Sequence, residues 1–158
     1  MRYELYMGHA LAEAAAAAAD GERADGAVAV LDEAMVARAR ENVLSDGDPT
    51  AHAVMNVLRE TARRLGRHSL NGVTVFAAVE PCAMCVGALL QSDADGLVFA
   101  LADPLEGAAG SCVQLADNDR MQRRLRVVSG ILQADAAELR PDLRNGRPAA
   151  AGGYARAR

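Results

Sequence analysis

Lysine and tryptophan are absent from this sequence, and only two Phe and three Tyr occur in its 158 residues. A core must therefore be built from Val, Leu, Ala and Met. At 51% apolar residues the chain has enough of them for one domain. Three cysteines are too few for a disulfide framework, which points to a reducing compartment and a cytoplasmic location. No apolar run approaches the ~20 residues that cross a bilayer. The Ala14–Ala19 run has no Leu, Ile or Phe and ends in Asp20-Gly21-Glu22, so a secretory leader is not expected. With no Lys, every cationic side chain is Arg, and the distribution is uneven. Residues 1–112 hold eight Arg against sixteen acids, and residues 113–158 hold nine Arg against five. A net charge of −4 argues against strong nucleic-acid binding. Arg120, Arg123, Arg124 and Arg126 could touch phosphates, although such runs more often solubilise a helix face.

The patterns that are present alternate between helix and strand. Tyr3, Met7, Ala10, Leu11 and Ala14 recur at helical spacing, which predicts a helix over Met1–Ala19 ended by Asp20-Gly21. Gly26–Leu31 and Met35–Ala39 read as strands joined by a turn at Asp32-Glu33, followed by a polar loop from Glu41 to Pro49. Thr50 is expected to cap a helix running through Leu65 and closed by Gly66, with Val54, Val57, Leu58 and Leu65 buried. Asn71-Gly72 then turns into a strand, Val73–Val79. A helix to about Leu90, a strand Gly96–Leu101 and a loop from Asp103 to Ser111 come next. A short helix at Asp117–Arg124, a strand at Leu125–Val128 and a closing helix at Ile131–Leu139 complete the pattern. This predicts a three-layer α/β/α domain over residues 1–144 with a mixed central sheet of about five strands, and a loose, flexible tail at 145–158.

The chemistry concentrates in Pro81-Cys82-Ala83-Met84-Cys85, read with His52. Two cysteines at C-x-x-C spacing can turn both sulfurs toward one metal ion, and a helix N-terminus there favours the thiolates that zinc requires. His52 would supply a third ligand and leave a fourth position open, as in a catalytic rather than a structural zinc site. A bare C-x-x-C also fits a redox pair or half of a zinc ribbon. Cys112 lies too far along to act as a ligand and is expected to be a small core or interface residue.

Taken in order, these blocks carry a resemblance. They are Gly26-Ala27-Val28, Asn42, Asp48-Pro49-Thr50-Ala51-His52-Ala53, Glu80-Pro81-Cys82, Cys85, Gly87-Ala88 and Val98-Phe99. Asp103, Gly107-Ala108-Ala109-Gly110-Ser111 and Ser129-Gly130-Ile131-Leu132 continue the series. The sequence resembles the cytidine deaminase-like superfamily of zinc deaminases, nearest to bacterial tRNA adenosine deaminases and guanine deaminases. The resemblance implies zinc on His52, Cys82 and Cys85. It also implies that Asn42 and the Ala53 backbone contact the base or sugar, that Asp103 lies beside a bound nucleotide, and that a homodimer completes the pocket.

Two positions depart from the family pattern. Val54 stands where the family has the Glu that moves protons between the attacking water, the ring nitrogen and the leaving amine, and an isopropyl group can do none of this. Asp25 stands where the family has an apolar wall of the base pocket, and a charge at the lip of a buried strand is costly unless paired or solvated. Two readings of Asp25 stay open: it takes over as acid/base, or it hydrogen-bonds a loop amide or a substrate ring nitrogen. Glu80 is ordinary for the family and is expected to be structural. Two functions follow. The first is a zinc-dependent hydrolytic deaminase of a nucleobase, nucleoside or related amino-heterocycle. The alternative is an inactive zinc-binding pseudo-deaminase serving as partner subunit of an active tRNA deaminase.

Overall fold

The computed structural model describes residues 1–144; the expectation for 145–158 lies outside the described residues. The elements run α1 (Tyr3–Ala19), β1 (Gly26–Leu31), β2 (Ala34–Arg40), α2 (Val43–Asp46), α3 (Ala53–Leu65), β3 (Thr74–Val79), α4 (Ala83–Gln91), β4 (Gly96–Leu101), β5 (Arg126–Ser129), α5 (Gln133–Leu139) and α6 (Pro141–Arg144). The strands form one sheet in the order β2-β1-β3-β4-β5. β1 pairs antiparallel with both β2 and β3, whereas β3–β4 and β4–β5 are parallel.

β3 and β4 are buried along their whole length, which is why their sequences are unbroken apolar runs rather than alternating ones. Helices cover both faces. Ala27, Ala29, Val75, Ala77 and Leu97 pack with Val57 of α3 and Val86 and Leu89 of α4. Val28, Val30, Phe76 and Val98 pack against Met7, Ala10 and Ala14 of α1 and Ala136 of α5. The expected three layers and mixed five-stranded sheet are both present. α1 presses onto the start of β1 so closely that a Cβ on Gly26 would lie 2.3 Å from the Ala10 carbonyl oxygen. Asp32 and Glu33, both at positive φ, make the two-residue turn between β1 and β2.

Three expectations need correction. Thr50 does not cap α3: its hydroxyl and N–H both donate to Asp48 Oδ1 at 2.8 Å, forming an Asx turn around Pro49. The chain stays extended through His52, which becomes the N-cap with ψ 152°, and Gly66 closes the helix at φ 63° as expected. Asp117–Arg124 forms turns instead of a helix, because Asn118 and Gln114 side chains take up its backbone groups and its surface is mostly exposed. The Glu41–Pro49 segment contains the short helix α2. Glu22 builds it by accepting hydrogen bonds from the Leu44 N–H and from the Ser45 N–H and hydroxyl.

Candidate metal centre and active site

Two helix N-termini converge below the sheet edge. His52 caps α3 and Cys82 caps α4, and Cys85 lies in the first turn of α4. The delayed start of α3 puts the imidazole at the mouth of the helix instead of within it. Ala51 and His52 are held there from outside the helix. The Asn42 N–H donates to the Ala51 carbonyl at 3.0 Å, and Asn56 Nδ2 bridges the Arg40 and Ala51 carbonyls at 2.9 and 3.2 Å. His52 Nδ1 lies 3.5 Å from the sulfur of Cys82 and 3.5 Å from that of Cys85. All three donor atoms fall within 4.8 Å of one another, the one such cluster among the described residues.

This donor set fits zinc. A tetrahedral ion with bonds of about 2.0 Å to nitrogen and about 2.3 Å to sulfur sets N···S edges of about 3.5 Å. The electrostatics agree. Hydrogen bonds from Cys85 and His52 lower the Cys82 thiol to about 4 against the penalty of burial, and the hydrogen bond with Cys82 together with burial pushes Cys85 up. The Cys82 sulfur in turn raises the His52 pKa. The lowered Cys82 thiol thus lies beside two positive helix ends, which favour its thiolate form.

The surrounding groups are more polar than the motif alone suggested. Val54 is 1% exposed, packed in the core beside the site with no polar function to offer. Asp25 precedes β1, where Ala27 and Ala29 face the α3–α4 layer, so strand alternation carries Asp25 to that same face. Asp25 is half-buried; its Oδ1 accepts the Gly26 N–H at 2.9 Å, and among the described residues no further hydrogen bond reaches the carboxyl. Burial and the neighbouring Glu41 charge push its carboxyl up to about 7, against the pull of Arg140, Arg23 and the Gly26 N–H. The Asp25 charge is also felt at Cys85.

Glu41 and Arg23 were not visible as site residues in the sequence. Glu41 is fully buried and accepts both Nε and Nη2 of Arg23 at 2.9 Å. The Arg23 guanidinium lies 3.5 Å from His52 Nε2 and reaches Glu106 at 3.6 Å. Arg140, paired bidentately with Asp142, adds a further cation whose charge reaches Asp25. No periodicity marks any of these residues, because their partners lie 18 or more positions away or on another element.

Glu80 is structural, as expected. Its carboxylate accepts the N–H groups of Asp103, Ala109 and Ser111 as well as the Ser111 hydroxyl, which ties the 103–111 loop beside Cys82. Asp103 is buried, and its Oδ1 accepts the Leu105 and Glu106 N–H groups, shaping the turn of that loop. Asn42 is half-buried at the head of α2, with no side-chain cap bond. Cys112 is exposed, which corrects the core expectation: its N–H is anchored to the Gly107 carbonyl and the side chain points out of the loop.

Comparison with known proteins agrees with this geometry. The family described as cytidine and deoxycytidylate deaminase zinc-binding region matches residues 1–101. The chain is 37% identical over 132 residues to a tRNA-specific adenosine deaminase of Bacillus subtilis, covering 84% of this chain and 82% of that one. A solved structure from studies of A-to-I editing by tRNA:A34 deaminases superposes with a TM-score of 0.83 at 32% identity, over 85% of this chain and 98% of its own. A guanine deaminase of Bacillus subtilis superposes at 0.63 with 31% identity, over 65% and 66% of the two chains. With the ligand geometry, the mixed sheet and these relatives in agreement, the chain belongs to the cytidine and deoxycytidylate deaminase family of zinc-binding deaminases.

Proposed function

We propose that this protein is a zinc-dependent hydrolytic deaminase of a nucleobase, nucleoside or related amino-heterocycle, with Asp25 as its proton-transfer group. His52, Cys82 and Cys85 hold the zinc, which supplies a water activated for attack at neutral pH. Asp25 would carry two protons in turn: the first from the attacking water to the ring nitrogen, the second from the hydroxyl left on the ring carbon to the departing amine, which leaves as ammonia as the carbonyl forms. Asn42, the Ala53 backbone and Asp103 border the heterocycle. The observation that carries the reading is Asp25 itself: a half-buried carboxyl at the start of β1, neighbour to Glu41 and close enough to Cys85 for its charge to act there, which burial and the Glu41 charge push up to about 7. A general acid/base works best when its pKa is close to the operating pH. A dication at the three ligands would lower the Asp25 pKa and favour the carboxylate that takes the first proton.

A cytoplasmic homodimer belongs to the same proposal. Its support is the set of unpaired thiols and the exposed Leu44, Leu105 and Val113 on segments adjoining Asn42 and Glu106. Among the described residues no helix is long and apolar enough to cross a membrane. Gel filtration with light scattering tests the assembly.

The deciding experiment is a screen of amino-purines, amino-pyrimidines, their nucleosides and tRNA for ammonia release, repeated with Asp25→Asn. Turnover should fall by at least about 10²-fold while zinc content is retained. Unchanged turnover in Asp25→Asn would sink the assignment. The buried, apolar Val54 favours the second reading, a zinc-binding pseudo-deaminase subunit. That reading prevails if no heterocycle is turned over and a companion deaminase co-purifies and depends on this chain.

A further inference from the structure

The two nitrogens of His52 face different chemistries. Nδ1 looks at the two sulfurs, and Nε2 looks away, toward Arg23 Nη2 at 3.5 Å and Glu41 Oε1 at 4.0 Å. A neutral imidazole that gives its Nδ1 lone pair to a metal carries its hydrogen on Nε2. In a half-buried ring that N–H takes its acceptor from the protein or from water. Arg23 offers none, since a guanidinium only donates, whereas an ionised carboxylate only accepts. Of the two groups facing Nε2, Glu41 alone can take the hydrogen.

That carboxylate is held firmly. It is 0% exposed, and the parallel fork from Arg23 fixes both of its oxygens. Arg23 Nη1 extends to Glu106, so the fork also links the 103–111 loop to the imidazole. Burying such a pair is expensive, and two apolar side chains of similar volume would commonly serve stability as well or better. Its location against the outer nitrogen of a metal ligand gives it a purpose beyond packing.

We infer that Glu41, locked by Arg23, is a positioning residue that accepts the Nε2 hydrogen of His52 and so fixes the tautomer and ring orientation in which Nδ1 serves as metal donor. The inference rests on the reading of His52, Cys82 and Cys85 as the zinc site, and it adds the residue that tunes that site. At 4.0 Å the two atoms stand at ion-pair distance, longer than a hydrogen bond, so with Glu41 held by Arg23 it is the imidazole that must move toward the carboxylate as the metal binds. Outer partners of this kind typically control 10–100-fold of metal affinity.

The test measures zinc affinity of the full chain by competition with a chromophoric chelator, together with ¹⁵N NMR of the histidine side chains. Arg23→Met/Glu41→Met removes the pair without stranding a charge, and Glu41→Gln keeps the shape and an acceptor oxygen. Zinc binding should weaken about 10–100-fold in the double variant and about threefold to tenfold in Glu41→Gln. Zinc-loaded wild type should show a His52 Nε2–H protected from exchange, and the double variant should lose that protection. A purely structural pair would lower Tm while leaving affinity and this signal in place. Affinity within twofold of wild type in either variant that folds overturns the inference. So does the absence of a protected Nε2–H in zinc-loaded wild type, a measurement that needs no variant. Wild type that takes up no zinc refutes the metal site instead, which keeps the two failures apart.

Discussion

Replacing Asp25 with Asn should make the protein more stable and less active at once. The carboxyl rises from 3.8 to about 7 on folding because burial, and next the Glu41 charge, disfavour its ionised form. Between those two values the folded chain keeps a proton that the unfolded chain has released. Stability from this group is therefore fully present below about pH 4, declines as pH rises toward 7, and is gone above it. Each tenfold change in proton affinity corresponds to 1.36 kcal/mol, which sets a ceiling of roughly 4 kcal/mol on the loss at pH 8. Asn carries no charge to bury. Metal-stripped Asp25→Asn should exceed wild type by roughly 1–4 kcal/mol at pH 8, the gap closing as pH approaches 4. Urea melts at several pH values measure it. Loading zinc should shrink the gain, because a dication on the same face of the sheet lowers the Asp25 pKa in the wild type. A variant no more stable than wild type at pH 8 would refute the buried charge. One that is more stable and fully active would refute the proton-transfer role.

Other outcomes follow from the same geometry. Protein purified without added metal should carry about one zinc per chain by elemental analysis, falling sharply in Cys82→Ala, which removes one of three converging donors. Gly107→Ala should destabilise strongly, since a Cβ there would lie 2.3 Å from Glu80 Oε2 and 2.4 Å from the Asp103 carbonyl oxygen; an unchanged Tm would mean the loop yields. Affinity for tRNA at physiological salt should be weak, because two of the four arginines of the 120–126 run are already engaged, Arg123 with Asp93 at 2.7 Å and Arg124 with Asp117 at 3.5 Å. Submicromolar binding that collapses with added salt would overturn that expectation.

What could be read from the sequence was whatever local pattern controls. The unbroken apolar runs at 74–79 and 96–101 announce strands covered on both faces, and they are the inner strands β3 and β4. C-x-x-C and the distant His52 announce a shared metal because few other arrangements demand those residues together. The failures have a common cause. α2 exists because Glu22, more than twenty positions earlier, satisfies the amides of Leu44 and Ser45, and no window of sequence contains both halves. At Asp117–Arg124, strong helix formers are overruled by Asn118, whose side chain binds backbone groups in a turn. Thr50 reads as a cap until its hydroxyl is seen to donate to Asp48. Arg23 and Glu41 carry no local signal that pairs them, since only the antiparallel pairing of β1 with β2 brings their neighbourhoods together.

That pairing also bears on the proposed move of the proton carrier from position 54 to Asp25. A Glu at position 54 would sit in the first turn of α3, where the helix dipole stabilises its charge and holds its pKa down. The sheet edge offers no such dipole. There the Glu41 N–H reaches the Asp25 carbonyl at 3.2 Å, so the two carboxylates are neighbours in space, yet their surroundings diverge. Glu41 is forked by a guanidinium, whereas Asp25 has one backbone N–H and the more distant pull of Arg23 and Arg140. The Glu41 charge is the second cause, after burial, of the raised Asp25 pKa. In the proposed reading Glu41 stands beside His52 Nε2 and Asp25 carries the proton. Removing the Glu41 charge should therefore act on both at once, weakening zinc through His52 and lowering the pH at which Asp25 titrates. A pH–rate profile of Glu41→Gln checks the second effect, and an acid limb that stays where it lies in wild type would show that Asp25 owes its near-neutral pKa to burial alone.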